Sequence, residues 1–156
     1  MFAVLAAFLA RVLLVLLFLP FSALDKLLNF NLAVGQAEQE EKNPALAKLL
    51  ILGGFGIELF MGLGVLTGLA DRFCAFVLAL YCIVTALLWK QFWRRPDFRL
   101  VGTSQGRELF WDFLKNLAVA GGFFMLALGT TATSAQNFFD APFASHHPYH
   151  RPGEAR

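Results

Sequence analysis

Charge is scarce in this 156-residue chain. Asp, Glu, Lys and Arg together make up 15% of it, against roughly 25% in an ordinary soluble domain. So thin a charged set excludes a soluble enzyme with a normal hydrated surface, and equally a disordered chain. The net charge of +2 and a pI near 8.7 are too mild for a nucleic-acid surface, so no nucleic acid is expected as a partner. Cysteine is nearly absent. Cys74 and Cys82 lie eight apart on one apolar segment, about 12 Å of helical rise, beyond the roughly 7 Å that a disulfide spans. Without a CxxC pair, thiol–disulfide catalysis is not expected. Histidine is confined to His146, His147 and His150, close to the C-terminus. No apolar segment therefore offers an imidazole to a haem, and Met61 and Met125 read as core. The HHxxH spacing needs a defined fold around it before it can hold a transition metal, so no metal site is assigned. Glycine-rich phosphate loops and nucleophile elbows are missing too.

What the chain does have is apolar length. Hydrophobic residues are 58% of it, with 18 Phe against three Trp and two Tyr, and the mean hydropathy is +0.60. Crossing a bilayer as a helix takes about 20 apolar residues. Four segments approach this, at about 2–21, 46–69, 73–89 and 110–128. None alternates apolar and polar residues as a barrel strand does, so helices are the remaining backbone solution in lipid. The expected fold is all-α, a polytopic membrane protein with an antiparallel four-transmembrane-helix bundle over 1–129 and a mobile or interfacial tail over 130–156. The first segment has no basic n-region and carries Arg11 at its middle, which favours a retained helix over a secretory signal.

The connections set the arrangement. Pro44 suits the first turn of the second helix, where a missing N–H costs nothing. Ala70, Asp71 and Arg72 form so short a turn that the second and third helices must be antiparallel neighbours. The long connections 25–44 and 90–109 share one side with eight Lys and Arg (Lys26, Lys42, Lys48, Lys90, Arg94, Arg95, Arg99, Arg107), against three on the other (Arg72, Arg151, Arg156). That excess predicts both long loops in the cytoplasm and both termini outside.

Charges inside the apolar runs are the informative residues, because each costs about 2.5–3.5 kcal/mol at the bilayer centre. Arg11 and Glu58 both lie near the middle of their segments. They are expected to pair across two helices, since each favours the other's ionised form. The pair could equally fix helix register or line a functional pocket. Asp112, Lys115 and Asn116 share a face of the fourth helix. Asp112 and Lys115 are expected at the headgroup boundary, with Lys115 snorkelling, and Asn116 deeper, hydrogen-bonding between helices. The resulting expectation is one buried polar pocket of Arg11, Glu58, Asn116 and Lys115. Gly54 and Gly62 flank Glu58 at steps of four; Gly64 and Gly68 make a GxxxG step, and Gly121 and Gly122 follow Asn116. All six are expected to let helices approach closely.

In this order and spacing the residues resemble the DoxX family of small four-helix bacterial and archaeal membrane proteins. Arg11 and Lys26 match an Arg in the first helix and a Lys after it. Glu58, Gly62, Gly68 and Arg72 match a Glu-x-x-x-Gly…Gly-x-x-x-Arg stretch. Phe113, Lys115, Asn116, Leu117, Ala118, Gly121 and Gly122 match the fourth-helix string, and Phe92 with Trp93 matches an aromatic pair before the third connection. The resemblance implies a multi-pass protein of the cell (inner) membrane. Some relatives are subunits of a thiosulfate:quinone oxidoreductase, and others join redox complexes that counter oxidative stress. It therefore implies an oxidoreductase subunit touching quinone through Arg11, Glu58 and Asn116, with the bilayer and other redox subunits as partners and a homo-oligomer left open. Two other classes remain beside it: a small transporter or proton relay, and a structural anchor or assembly partner whose buried charges only set register.

Overall fold

The structure is a computed structural model that describes residues 2–40 and 43–150. Its described residues form helices and contain no strand. In chain order these are α1 (Phe2–Val15), α2 (Ala23–Leu28), α3 (Phe30–Glu40), α4 (Pro44–Thr67), α5 (Asp71–Trp89), α6 (Gln105–Leu128) and α7 (Ala132–Asp140). Four stretches are long and apolar enough to span a bilayer: Phe2–Leu28, Pro44–Thr67, Asp71–Arg94 and Gln105–Leu128. The protein is an all-α polytopic membrane protein.

The first span does not run straight. Between α1 and α2 the chain makes a wide turn over Leu17–Ser22, in which Leu19 leaves helical geometry (φ −119°, ψ 118°) just ahead of Pro20. Proline removes an N–H and crowds the residue before it out of the α region. The bend redirects α2, and the polar stretch expected as a loop over 25–44 instead continues as α2 and α3. Pro44 does open α4, with the Asn43 side chain accepting from the N–H groups of Ala45 and Leu46. Gly68 (φ +81°) and Ala70 (φ +47°) then turn the chain sharply into α5.

Packing is tightest between α5 and its neighbours. Ala75, Ala79, Cys82 and Ala86 recur at steps of four, three and four and are buried along one face, with Leu78 beside them. Ala120, Phe123 and Ala127 of α6 and Val65 of α4 close the same core. Lipid is as apolar as leucine, so van der Waals fit rather than water exclusion drives this contact, and small residues give the fit. Of the expected packing glycines, Gly62 and Gly122 have little room: a Cβ would lie 2.7 Å and 3.1 Å from methyl carbons of Leu19 and Leu14. A Cβ on Gly64 would collide with Cys74 Sγ. Gly121 differs, since nothing lies within 4 Å of its Cβ position; it is exposed and packs against no helix. Gly68 caps α4 and faces Pro148 rather than a spanning helix.

Of the tail expected over 130–156, residues 151–156 lie outside the described residues, and residues 130–150 are ordered against the bundle. Thr131 caps α7 by accepting from Ser134 N–H, and Phe138 is buried against Phe76, ring centroids 5.0 Å apart. Residues 145–149 return to the α4–α5 turn, so this stretch is folded onto one end of the bundle.

Candidate functional site

Arg11 and Glu58 do not pair. Arg11 donates to Asp71 Oδ2 at 2.6 Å and to the Val65 carbonyl at 2.8 Å. Helix depth explains this: α1 brings Arg11 level with the end of α4 and the start of α5, whereas Glu58 lies more than a turn further in. Asp71, read from sequence as part of a turn, is the first residue of α5 and is 0% exposed. It also accepts from His146 N–H at 3.0 Å and contacts His146 Nδ1 at 3.1 Å. Ser145 donates to the Gly68 carbonyl, and Tyr149 donates to the Leu66 carbonyl. Next along α5, Arg72 donates to the carbonyls of Ala127 and Ser134 and lies over the Phe138 ring. Two adjacent residues of opposite charge thus tie four elements together at this end.

Glu58 finds Lys26 instead. The bend at Pro20 swings α2 over α4, and Lys26 Nζ donates to both Glu58 oxygens, at 2.7 and 2.8 Å, and to Ser22 Oγ at 2.7 Å. All three ammonium protons are used. Tyr81 of α5 donates to Glu58 Oε1 at 2.8 Å, so both oxygens of the carboxylate, 2% exposed, accept hydrogen bonds. Such a pair survives in apolar surroundings only when its remaining lone pairs and protons are satisfied. Gly54 makes the arrangement possible, because a Cβ there would stand 2.8 Å from the Tyr81 hydroxyl. Sequence reasoning matched Lys26 without seeing its partner, and missed Tyr81 altogether. Tyrosine scarcity was the available signal: both tyrosines, Tyr81 and Tyr149, sit where the hydroxyl meets an inward-facing acceptor.

A cavity of about 590 Å³ opens beside this cluster, lined by Lys26, Glu58, Tyr81, Thr85 and Asn116 among polar residues and by Leu17, Phe18, Leu50 and Ile51 on apolar walls. Its volume falls within the range of small-molecule pockets. Asn116 faces it without a side-chain hydrogen bond to any described residue, and so is not the interhelical bond expected. Arg11 lies outside this cavity. It borders a separate apolar groove of about 520 Å³ between α1 and α6, with His146 and Pro148 at its rim. Lys115 is also outside; its side chain is 73% exposed and reaches Asp112 at 3.1 Å. Asp112 bridges to Lys90 at 3.4 Å, which suits a headgroup boundary. The single expected pocket is therefore two, at different depths.

Neither cysteine is in a disulfide. Among the described residues no three His, Cys, Asp or Glu side chains gather as a metal site, and His146 is committed to Asp71. The Lys26–Glu58–Tyr81 cluster can hold charge and pass a proton along contacts of 2.7–2.8 Å.

No curated protein and no solved structure matches the chain. The sequence pattern described as DoxX matches residues 6–91, more than half of it, which takes in Arg11, Lys26, Glu58, Gly62, Gly68 and Arg72 but ends before the fourth-helix string. Four spanning helices, buried charges held by α1, α2, α4 and α5, and that match together make this chain a member of the DoxX family, a small integral membrane protein.

Proposed function

We propose that the chain is a membrane subunit of a redox complex in the cell membrane, holding a quinone headgroup in the cavity beside Lys26, Glu58 and Tyr81. One observation carries this reading: the amide of Asn116 faces a cavity of about 590 Å³ with no hydrogen-bond partner among the described residues. A quinone carbonyl needs a donor, and the protons of Lys26 and Tyr81 are already engaged with Glu58 and Ser22. Asn116 supplies the donor that remains. Leu17, Phe18 and Leu50 offer apolar walls for the ring and the first isoprenoid units. Reducing a quinone to a quinol takes two electrons and two protons. A partner subunit is assigned the electrons, and the Tyr81–Glu58–Lys26 cluster, which lines the same cavity, is assigned the supply of protons.

The test is to purify the full chain in mild detergent with its partners and quantify quinone in an organic extract. Wild type is expected to carry quinone, Asn116→Leu to lose most of it, and Lys115→Gln to keep it. Wild type purified without quinone, or Asn116→Leu with undiminished quinone, overturns the reading. The continuous hydrogen-bonded run from Tyr81 through Glu58 and Lys26 to Ser22 favours a second reading, a proton relay. Proton flux in vesicles containing the purified chain alone, abolished by Glu58→Gln, would establish that reading instead.

A further inference from the structure

The spanning stretch that contains α5 ends at Arg94, where the chain leaves helical geometry for a short turn, Phe92–Arg94. A cleft of about 230 Å³ opens there between the end of α5 and α6, lined by Trp89, Gln91, Arg94, Arg95, Pro96 and Leu109. Three features of it stand out. Gln91 donates through its amide nitrogen to the Leu87 carbonyl at 2.9 Å, yet its buried oxygen Oε1 meets no donor among the described residues. Arg94 and Arg95 are exposed, and neither guanidinium has an acidic partner among the described residues. The carboxylate nearest in sequence, Asp97, is turned away to accept from Gly106 N–H at 3.3 Å, and Lys90 is engaged with Asp112. Finally, Trp89 and Leu109 give the same cleft apolar walls, and Phe92, Trp93, Phe110 and Phe113 pack edge-on beside it. Amphipathic aromatics mark the headgroup level of a bilayer.

We propose that this cleft seats the headgroup of an anionic phospholipid of the phosphoglycerol class. Its phosphate answers the two guanidiniums, which present forked donors suited to phosphate oxygens. The orphaned Gln91 oxygen asks for a donor on the same ligand. A neutral glycerol hydroxyl supplies one. An ammonium headgroup would bring a third positive charge against Arg94 and Arg95, which disfavours zwitterionic phosphatidylethanolamine. Basic pockets at the ends of membrane helices commonly hold lipid headgroups in this way. Arg95 and Trp89 also line the larger cavity beside Glu58, so the seated lipid would stand next to its mouth.

The experiment reconstitutes the full chain into phosphatidylcholine vesicles doped with phosphatidylglycerol, phosphatidic acid or phosphatidylethanolamine, and measures the lipid retained after detergent extraction and repurification. Phosphatidylglycerol should be retained above the other two. Arg94→Gln and Arg95→Gln should each lower its retention about fivefold, from the attraction of one basic residue for an anionic surface. Both side chains are exposed and have no ion-pair partner among the described residues, so these variants should elute and melt as wild type does. Gln91→Leu should erase the preference for phosphatidylglycerol over phosphatidic acid while keeping both above phosphatidylethanolamine. Excess inorganic phosphate should leave the lipid in place, because only the lipid brings apolar contact with Trp89 and Leu109. Equal retention of all three lipids, unchanged retention in the Arg94→Gln/Arg95→Gln variant, or displacement by inorganic phosphate would each overturn the assignment.

Discussion

Asp71→Asn is the sharpest perturbation this fold offers. The substitution keeps the shape of the side chain and removes its charge, while Arg11 stays 5% exposed with only the Val65 carbonyl as a firm acceptor. Leaving one partner of a buried pair uncompensated costs about 3–5 kcal/mol. Two weaker contacts to the partly exposed His146 add about 1 kcal/mol after allowance for solvent screening. The expected loss is therefore about 4–6 kcal/mol, summed from those two contributions. Reversible unfolding of the reconstituted protein by a denaturing detergent measures it. The double variant Arg11→Met/Asp71→Asn removes both charges and should be less destabilised than the two single changes added together, by about 2–3 kcal/mol of coupling. Limited proteolysis supplies an independent reading: in Asp71→Asn the chain near His146 should be cut before the spanning helices are. A loss below about 1 kcal/mol, or strictly additive single changes, would show that the pair does not hold the bundle end together.

Other outcomes follow from the remaining contacts. In a cycle of Lys26→Met with Glu58→Gln the two changes should couple by about 1–3 kcal/mol, whereas Arg11→Met with Glu58→Gln should add; the same unfolding assay reads both, and the reverse pattern would restore the pairing anticipated from sequence. Gly54→Ala should drive the Tyr81 hydroxyl off Glu58 and destabilise by about 1–3 kcal/mol, while Gly121→Ala, with open space at its Cβ position, should be neutral or stabilising by up to about 1 kcal/mol. The excess of Lys and Arg on the long connections predicts a C-terminus outside the cytoplasm, so a reporter active only in the cytoplasm should stay silent when fused there, and activity would reverse the orientation.

The four spans are legible in the sequence because run length alone decides whether a segment can cross a bilayer, and the run lengths here are unambiguous. Pairing among the buried charges is not legible in that way. It depends on depth and on helix direction: α1 leaves Arg11 level with the end of α4, and Pro20 bends the first span so that Lys26 reaches Glu58. Asp71 was hidden by its place in a three-residue connection, where a carboxylate is ordinarily solvated. The His146 segment folds back onto it, and no local pattern in a stretch rich in proline and histidine announces that. The glycines misled in part for a related reason. Alanines and a cysteine, less conspicuous as small residues, form the close face of α5, while Gly121 turns outward.

The return of residues 145–149 to the α4–α5 turn has a consequence for biogenesis. Two hydrogen-bonded segments must occupy the same leaflet boundary, so an even number of crossings has to separate the Gly68–Ala70 bend from His146, and α5 with α6 provides two. A translocation error that skipped α6 would strand the histidine on the opposite side and leave Asp71 without it. Because that stretch leaves the ribosome after the four spans described, its docking reports that those four have inserted with the correct parity.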